Sequence, residues 1–170
     1  MLKIEILSRG HDRDGFDCGS DPLNTYLRHT ARQHIARGIS RTFVLVEESA
    51  AEPKPIAGFF TLNICQLRSD QLPAKMARRL PREIAGVKLG RLAVAKARQR
   101  QGLGRLLLVA AMRKFLEVLD SAGGIGLFVD AKDAEAQAYY ERFGFVSLPD
   151  SPRLLFLPTQ TIREALADNS

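Results

Sequence analysis

Several features that would assign a chain quickly are scarce here. Only two cysteines occur in 170 residues, Cys18 and Cys65. They stand far apart without metal-ligand spacing, so no metal site is expected and both read as reduced thiols of a cytoplasmic protein. No apolar run of about 18 residues exists, which predicts no membrane span. The opening Met1-Leu2-Lys3-Ile4-Glu5 lacks the hydrophobic core of a secretion signal. No third glycine follows Gly102 and Gly104 at dinucleotide-fold spacing, and no Gly-Lys-Ser/Thr is present. The dinucleotide and phosphate-loop fingerprints therefore both fail. No repeat, low-complexity tract or linker interrupts the chain, and its hydrophobic fraction of 45% is ordinary. Residues 1–170 are expected to form a single domain.

Acidic residues are also missing where it matters. None occurs between Glu83 and Glu117. Inside that gap lies Leu92-Ala93-Val94-Ala95-Lys96-Ala97-Arg98-Gln99-Arg100-Gln101-Gly102-Leu103-Gly104-Arg105. It reads as a buried strand end, a basic loop, a Gly-x-Gly turn and a helix start. Glycines there let backbone approach a ligand closely. A helix start offers unpaired N–H groups and the positive end of its dipole to an anion.

The charge is local. Residues 68–105 hold eleven Lys/Arg against two acids, a net of +9 in a chain of net +6. The rest of the chain therefore carries −3. A phosphate-bearing cofactor would account for the charge on 96–105. The charge on 68–91 suggests a second polyanion.

Periodicity places the elements. Residues 2–7 read as a strand. Asp21-Pro22 opens a helix whose stripe is Leu23, Tyr26, Leu27, Ala31, His34 and Ile35, stopped at Gly38. His34 is expected to be a packed histidine. Residues 41–67 read as a hairpin, and Ala74 to Leu80 as a short helix between Pro73 and Pro81. A strand over 87–95 is followed by a helix with Leu103, Leu106, Leu107, Ala110, Ala111, Phe115, Val118 and Leu119 on one face. Then come a strand over 125–129, a helix from Asp133 to Arg142 stopped by Gly144, paired strands at 145–146 and 153–157, and a helix over 159–167. The prediction is an α/β (α+β) domain on one mixed sheet of about six to seven strands flanked by helices, with 87–95 and 125–129 parallel.

This order, with Gln99-x-x-Gly102-x-Gly104 opening the main helix, resembles the GCN5-related N-acetyltransferases (GNAT). Their acyl-CoA motif is Gln/Arg-x-x-Gly-x-Gly/Ala. Ala138-Tyr139-Tyr140-Glu141-Arg142-Phe143-Gly144-Phe145 is similar to the family's late Tyr-Glu-Arg-x-Gly-Phe segment. Phe16-Asp17-Cys18-Gly19, Leu23-Asn24-x-x-Leu27, Gly38-Ile39-Ser40-Arg41-Thr42-Phe43-Val44 and Leu89-Gly90-Arg91-Leu92-Ala93-Val94 narrow the likeness to the acetyltransferase toxins of bacterial type II toxin–antitoxin pairs.

The resemblance implies a sheet splayed at an acetyl-CoA site. Backbone groups of Leu92, Ala93 and Val94 would meet the pantetheine arm. Gln99, Arg100, Gln101, Gly102, Leu103, Gly104 and Arg105 would hold the pyrophosphate. Tyr140 would be the catalytic acid, since a phenol stays protonated at neutral pH and can donate to a departing thiolate. The implied substrate is aminoacyl-tRNA. Arg78, Arg79, Lys88 and Arg91 are the candidate tRNA contacts, with Arg28 and Arg32 as a second patch. The implied partners are a ribbon-helix-helix antitoxin and a second copy in a homodimer.

Strand 87–95 carries no acid, and Glu83 is expected in the loop before it. A free α-amine, with a pKa of about 7.7–8.0 against about 10.4 for lysine, needs less help to lose its proton. The absence therefore favours an aminoacyl or N-terminal α-amine. Two other readings stay open. One is an acetyltransferase for protein N-termini or small amines. The other is an inactive acyl-CoA or nucleic-acid-binding module.

Overall fold

Glycine spacing and β-branched runs build the strands, and their contacts gather the computed structural model, which describes residues 1–168, into two compact units. One comprises Met1–Asn63 with Gly90–Ala111, the other Ile64–Leu89 with the chain from Met112 onward. Both are interrupted in sequence, which is why no linker marks them.

In the first unit β1 (Leu2–Ile6) pairs antiparallel with β3 (Arg41–Glu47), Ile4 opposite Leu45. β3 pairs antiparallel with the start of β5 (Gly58–Arg68), Val44 opposite Phe59. The helix expected from Asp21 is interrupted. It runs as α1 (Asp21–Thr25), a π turn over Tyr26–Thr30 and α2 (Ala31–Ala36). The wide turn keeps Tyr26, Leu27 and Ala31 buried against Phe59, while the Arg28 carbonyl accepts from Arg13 Nη1 at 2.8 Å. His34 packs edge-on to Tyr26 at 5.9 Å, as a packed histidine would. Gly38, at φ 69°, ends the helix.

A short parallel bridge between β2 (His11–Asp12) and β4 (Lys54–Pro55) was not foreseen, being only two residues long. It buries His11, whose Nε2 meets Glu5 Oε2 at 2.7 Å while Nδ1 accepts from the Ser8 amide. Lys54, then His11, hold the Glu5 carboxyl below its ordinary range.

In the second unit α3 covers only Ala74–Ala77, shorter than expected, because the residue before Pro81 is steered out of the helical region. β6 spans Glu83–Val94 and pairs parallel with β7 (Gly126–Asp130), Lys88 opposite Phe128. Glu83 is thus the exposed first residue of the strand, a correction to its expected place in the loop. It lies at the far end of β6 from Val94. α4 (Leu103–Ala122) buries Leu103, Leu107, Leu108, Ala111, Met112 and Phe115. Leu106, expected on that face, is exposed, and Leu108 takes its place, because the buried stripe of 103, 107, 108, 111, 112 and 115 steps by three and four residues. α5 (Ala134–Glu141) is capped by Asp133, whose Oδ1 accepts from the Ala136 amide at 2.8 Å. β8 (Val146–Leu148) and β9 (Ser151–Pro158) pair antiparallel, and α6 (Thr159–Ala167) closes the described chain.

Among the described residues seven strands form one mixed sheet in the order β1-β3-β5-β6-β7-β9-β8. None of the described helices is long and apolar enough to cross a membrane.

Gly126 is a point of closest approach. A β-carbon there would enter the contact radius of Phe156 and lie 2.6 Å from the Leu157 carbonyl oxygen. Phe156 cannot retreat, because it stacks on Phe128 at 4.8 Å. Gly126→Ala is expected to cost about 3 kcal/mol through overpacking. Urea denaturation checks this, and an unchanged midpoint would contradict it.

Candidate active site

The end of β6 leads into a 3-10 turn over Lys96–Arg98 and then the Gln99–Arg105 segment. Arg100 has φ 64° and Gly102 φ 77°. Both lie in the left-handed region, which turns successive N–H groups toward one concave side, a form that suits anions. No atom stands within 4 Å of a β-carbon built on Gly102. Its glycine is therefore required by backbone conformation rather than by crowding within the chain. The first helical bond of α4 runs from Leu106 N to Gly102 O at 3.2 Å. The amides of Leu103, Gly104 and Arg105 precede it and have no intrahelical partner. Arg100 and Arg105 form no ion pair among the described residues, while Arg98 approaches Glu47 at 4.0 Å. Backbone donors, dipole and charge together fit a pyrophosphate.

Gln99 behaves differently from its expected role. Its Nε2 donates to the Cys18 and Val94 carbonyls, each at 3.1 Å. The Val94 carbonyl is thus already in use once, leaving one lone pair for a pantetheine arm.

Tyr140 stands near the end of α5, half-buried between Tyr139 at 5.4 Å and Phe145 at 5.5 Å, both edge-on. Burial, then the neighbouring Tyr139, pushes its pKa up to about 12. No hydrogen bond engages its hydroxyl among the described residues. It is a protonated donor with its proton uncommitted.

The candidate tRNA contacts divide. Arg78 and Arg79 are exposed at the end of α3 and make no ion pair among the described residues. Arg91 is exposed and lies over the Tyr26 ring at 3.7 Å, a cation–π contact that fixes its direction. Arg32 is half-buried. Lys88 is half-buried and ion-paired with Asp130, so its charge is largely matched. Arg28 turns inward, its Nη2 donating to the Phe16 carbonyl at 3.0 Å. Its guanidinium holds backbone, which turns Arg28 away from the solvent-facing place expected of a phosphate contact.

One cavity, of ≈ 240 Å³, escaped the sequence reading. Cys65, Leu67, Phe128 and Leu154 wall it, with Gln66, Gln71 and Lys88 at its polar side. Burial pushes the Cys65 thiol up, so it is a neutral wall rather than a nucleophile. Alternation along β5 marks Cys65 and Leu67 as one face, but their facing partners are set by sheet order. Leu92–Arg105, Arg28, Arg32 and Arg91 belong to the first unit, and Tyr140, Arg78, Arg79, Lys88 and the cavity to the second.

The acetyltransferase (GNAT) domain family matches residues 39–147, and the chain belongs to that family. Its relatives can be stated more closely. A tRNA-acetylating toxin of Mycobacterium tuberculosis (strain ATCC 25618 / H37Rv) is 30% identical over 162 residues, covering 95% of each chain. The structure of AtaT complexed with acetyl-methionyl-tRNAfMet superposes with a TM-score of 0.89 at 30% identity, over 98% of this chain and 99% of that one. A tyrosine-to-phenylalanine mutant of the AtaT toxin, bound to the C-terminus of the antitoxin AtaR and acetyl-CoA, gives 0.79 at 31%, over 97% and 98%.

Removing the Tyr140 hydroxyl tests its chemistry. Tyr140→Phe is expected to lower kcat about 10²-fold or more with acetyl-CoA affinity kept. Because the phenol titrates only near about 12, activity should rise through the amine's pKa and show no basic fall at pH about 9. A variant as active as the parent would remove Tyr140 from the acid role, and a basic limb at pH about 9 lost in Tyr140→Phe would keep the role but contradict the raised pKa.

Proposed function

We propose that this chain is an acetyl-CoA-dependent N-acetyltransferase that modifies the α-amine of aminoacyl-tRNA and so blocks translation as a toxin. Membership of the family supports acetyl transfer. The observation that carries the choice of acceptor is the exposed Arg78 and Arg79, without an ion pair among the described residues, in a segment of strong local positive charge. A small polycationic amine would be repelled by that surface, whereas a phosphate backbone is positioned by it. The cavity walled by Leu67, Phe128 and Leu154 offers room for one amino-acid side chain, which suits an aminoacyl end.

Acetyl-CoA, when bound, supplies the activated thioester. The chain's own groups then have three tasks. The amides and arginines of Gln99–Arg105 hold the pyrophosphate, while Leu92–Val94 present backbone to the pantetheine. The acceptor amine loses its proton to water, since β6 carries no acid besides Glu83 at its far end. An N–C bond forms, the C–S bond breaks, and Tyr140 passes its proton to the departing sulfur. Arg79, Arg78, Arg91 and Arg32 position the tRNA, with Lys88 in a lesser part.

By the same likeness, the protein acts in the cytoplasm as a homodimer, held silent by a ribbon-helix-helix antitoxin whose acidic tail covers the basic face. The AtaT mutant bound to the C-terminus of the antitoxin AtaR supports an antitoxin tail as the contacting element.

The test is incubation with labelled acetyl-CoA and charged total tRNA, followed by digestion to identify acetylated aminoacyl ends. Transfer to α-amines is expected, and its absence for every charged tRNA would overturn the reading. Arg78→Gln and Arg79→Gln are each expected to raise KM for tRNA and to flatten its salt dependence by about one unit of log–log slope, leaving KM for acetyl-CoA unchanged.

A further inference from the structure

The Phe16-Asp17-Cys18-Gly19 motif has so far been left without a task. In the structure it is a loop whose polar groups are taken up one after another. Three successive carbonyls each receive a donor. Phe16 O accepts from Arg28 Nη2 at 3.0 Å, Asp17 O from the Lys96 amide at 2.8 Å, and Cys18 O from Gln99 Nε2 at 3.1 Å. Two of those donors, Lys96 and Gln99, bracket the 3-10 turn that delivers the chain into the cradle.

The loop is braced from behind. Asn24 is buried at 5% exposure, and its Oδ1 accepts from the Cys18 amide at 2.9 Å and from Cys18 Sγ at 3.2 Å. Its Nδ2 donates to Asp17 Oδ1 at 3.0 Å, and the same oxygen accepts the Gly19 amide at 2.8 Å. The Gly19 amide, then Asn24, keep the Asp17 carboxyl below its ordinary range, so it stays an acceptor. The Lys96 stem lies 3.6 Å from where a Gly19 β-carbon would stand.

The cradle needs such a brace. Arg100 holds a left-handed conformation that a residue with a β-carbon resists. Left alone, the segment between Val94 and Leu103 would relax toward ordinary backbone and turn its amides away from one another. Gln99, with one nitrogen on two carbonyls, ties strand end, loop and cradle together. We infer that the Phe16–Gly19 loop, keyed by Asp17 and Asn24, is a clamp that presets the pyrophosphate cradle, and that Gln99 acts in it as a positioning residue. The proposal rests on acetyl-CoA as the ligand and is independent of the acceptor.

The experiment uses the full chain in two arms. Amide hydrogen exchange over residues 95–103 of the free protein reads the clamp itself. Calorimetric titration with acetyl-CoA, beside melting curves, reads its consequence. Gln99→Met and Asp17→Ala are each expected to speed exchange in that segment and to weaken acetyl-CoA about ten-fold, with the melting temperature held. Asp17→Asn keeps an oxygen for both N–H groups and is expected to bind within about two-fold of the parent. The double variant Gln99→Met/Asp17→Ala is expected to be no weaker than the worse single one, since both open one clamp.

Unchanged exchange in Asp17→Ala would overturn the proposal. So would additive losses in the double variant, because Gln99 would then be touching the ligand on its own account. A melting temperature that falls in proportion to affinity would reduce the loop to general stability. Failure of the parent chain to bind acetyl-CoA would instead strike the functional reading, with the exchange arm still judging the clamp.

Discussion

The structure depends on a costly piece of backbone. Two left-handed residues, Arg100 and Gly102, precede a helix whose first amides have no partners of their own. A left-handed residue with a β-carbon costs about 1–2 kcal/mol, and unpaired amides are costly wherever water is excluded. Such a segment persists when surrounding bonds fix it and a ligand rewards it. The bonds are those of Lys96 and Gln99 to the Asp17 and Cys18 carbonyls. Under the proposed function, the compensating interaction would be an anion on the amides, the dipole and Arg105.

The second chemical requirement of the proposed reaction, a proton for the leaving sulfur, would be met by an unrelated device. Tyr140 is wedged between aromatic edges, and burial makes its phenolate unfavourable. Raising the pKa keeps the proton on the ring at the pH of the reaction, so that a donor would be in place as the C–S bond breaks. The amine's own proton needs no comparable device when the acceptor is an α-amine. Under the proposed function, charge would then select the acceptor. Arg78 and Arg79 stay uncompensated, whereas Lys88 is answered by Asp130 and Arg28 by a carbonyl.

How far this could be read beforehand depended on the kind of signal. Gly102, the buried stripe of α4 and the Asp133 cap announce themselves locally, through spacing and residue type. The parallel pairing of β6 with β7 followed because a helix joins two buried strands, whereas the full strand order was not read. Gln99 was legible as part of a motif, but the direction of its amide depends on carbonyls 81 residues away in one case. Arg28 read as surface charge because its target, the Phe16 carbonyl, is brought near by the π turn, which no periodicity foretells. Glu83 was misplaced because β-pairing extends a strand beyond where its apolar run begins. Leu106 was placed on the wrong face because adjacent leucines leave the helix phase ambiguous until packing chooses. The cavity beside Lys88 needed four strands at once, β5, β6, β7 and β9, and no single stretch carries it.

The central claim is that backbone conformation, more than side-chain charge, makes the anion site. The direct measurement is calorimetric binding of acetyl-CoA to Gly102→Ala beside Arg100→Gly. Gly102→Ala keeps every charge but forces a β-carbon into φ 77°. Arg100→Gly removes a charge but relieves the strain at φ 64°. The account predicts that Gly102→Ala loses about ten-fold or more in affinity, while Arg100→Gly loses less. Binding that survives Gly102→Ala intact and collapses in Arg100→Gly would contradict it.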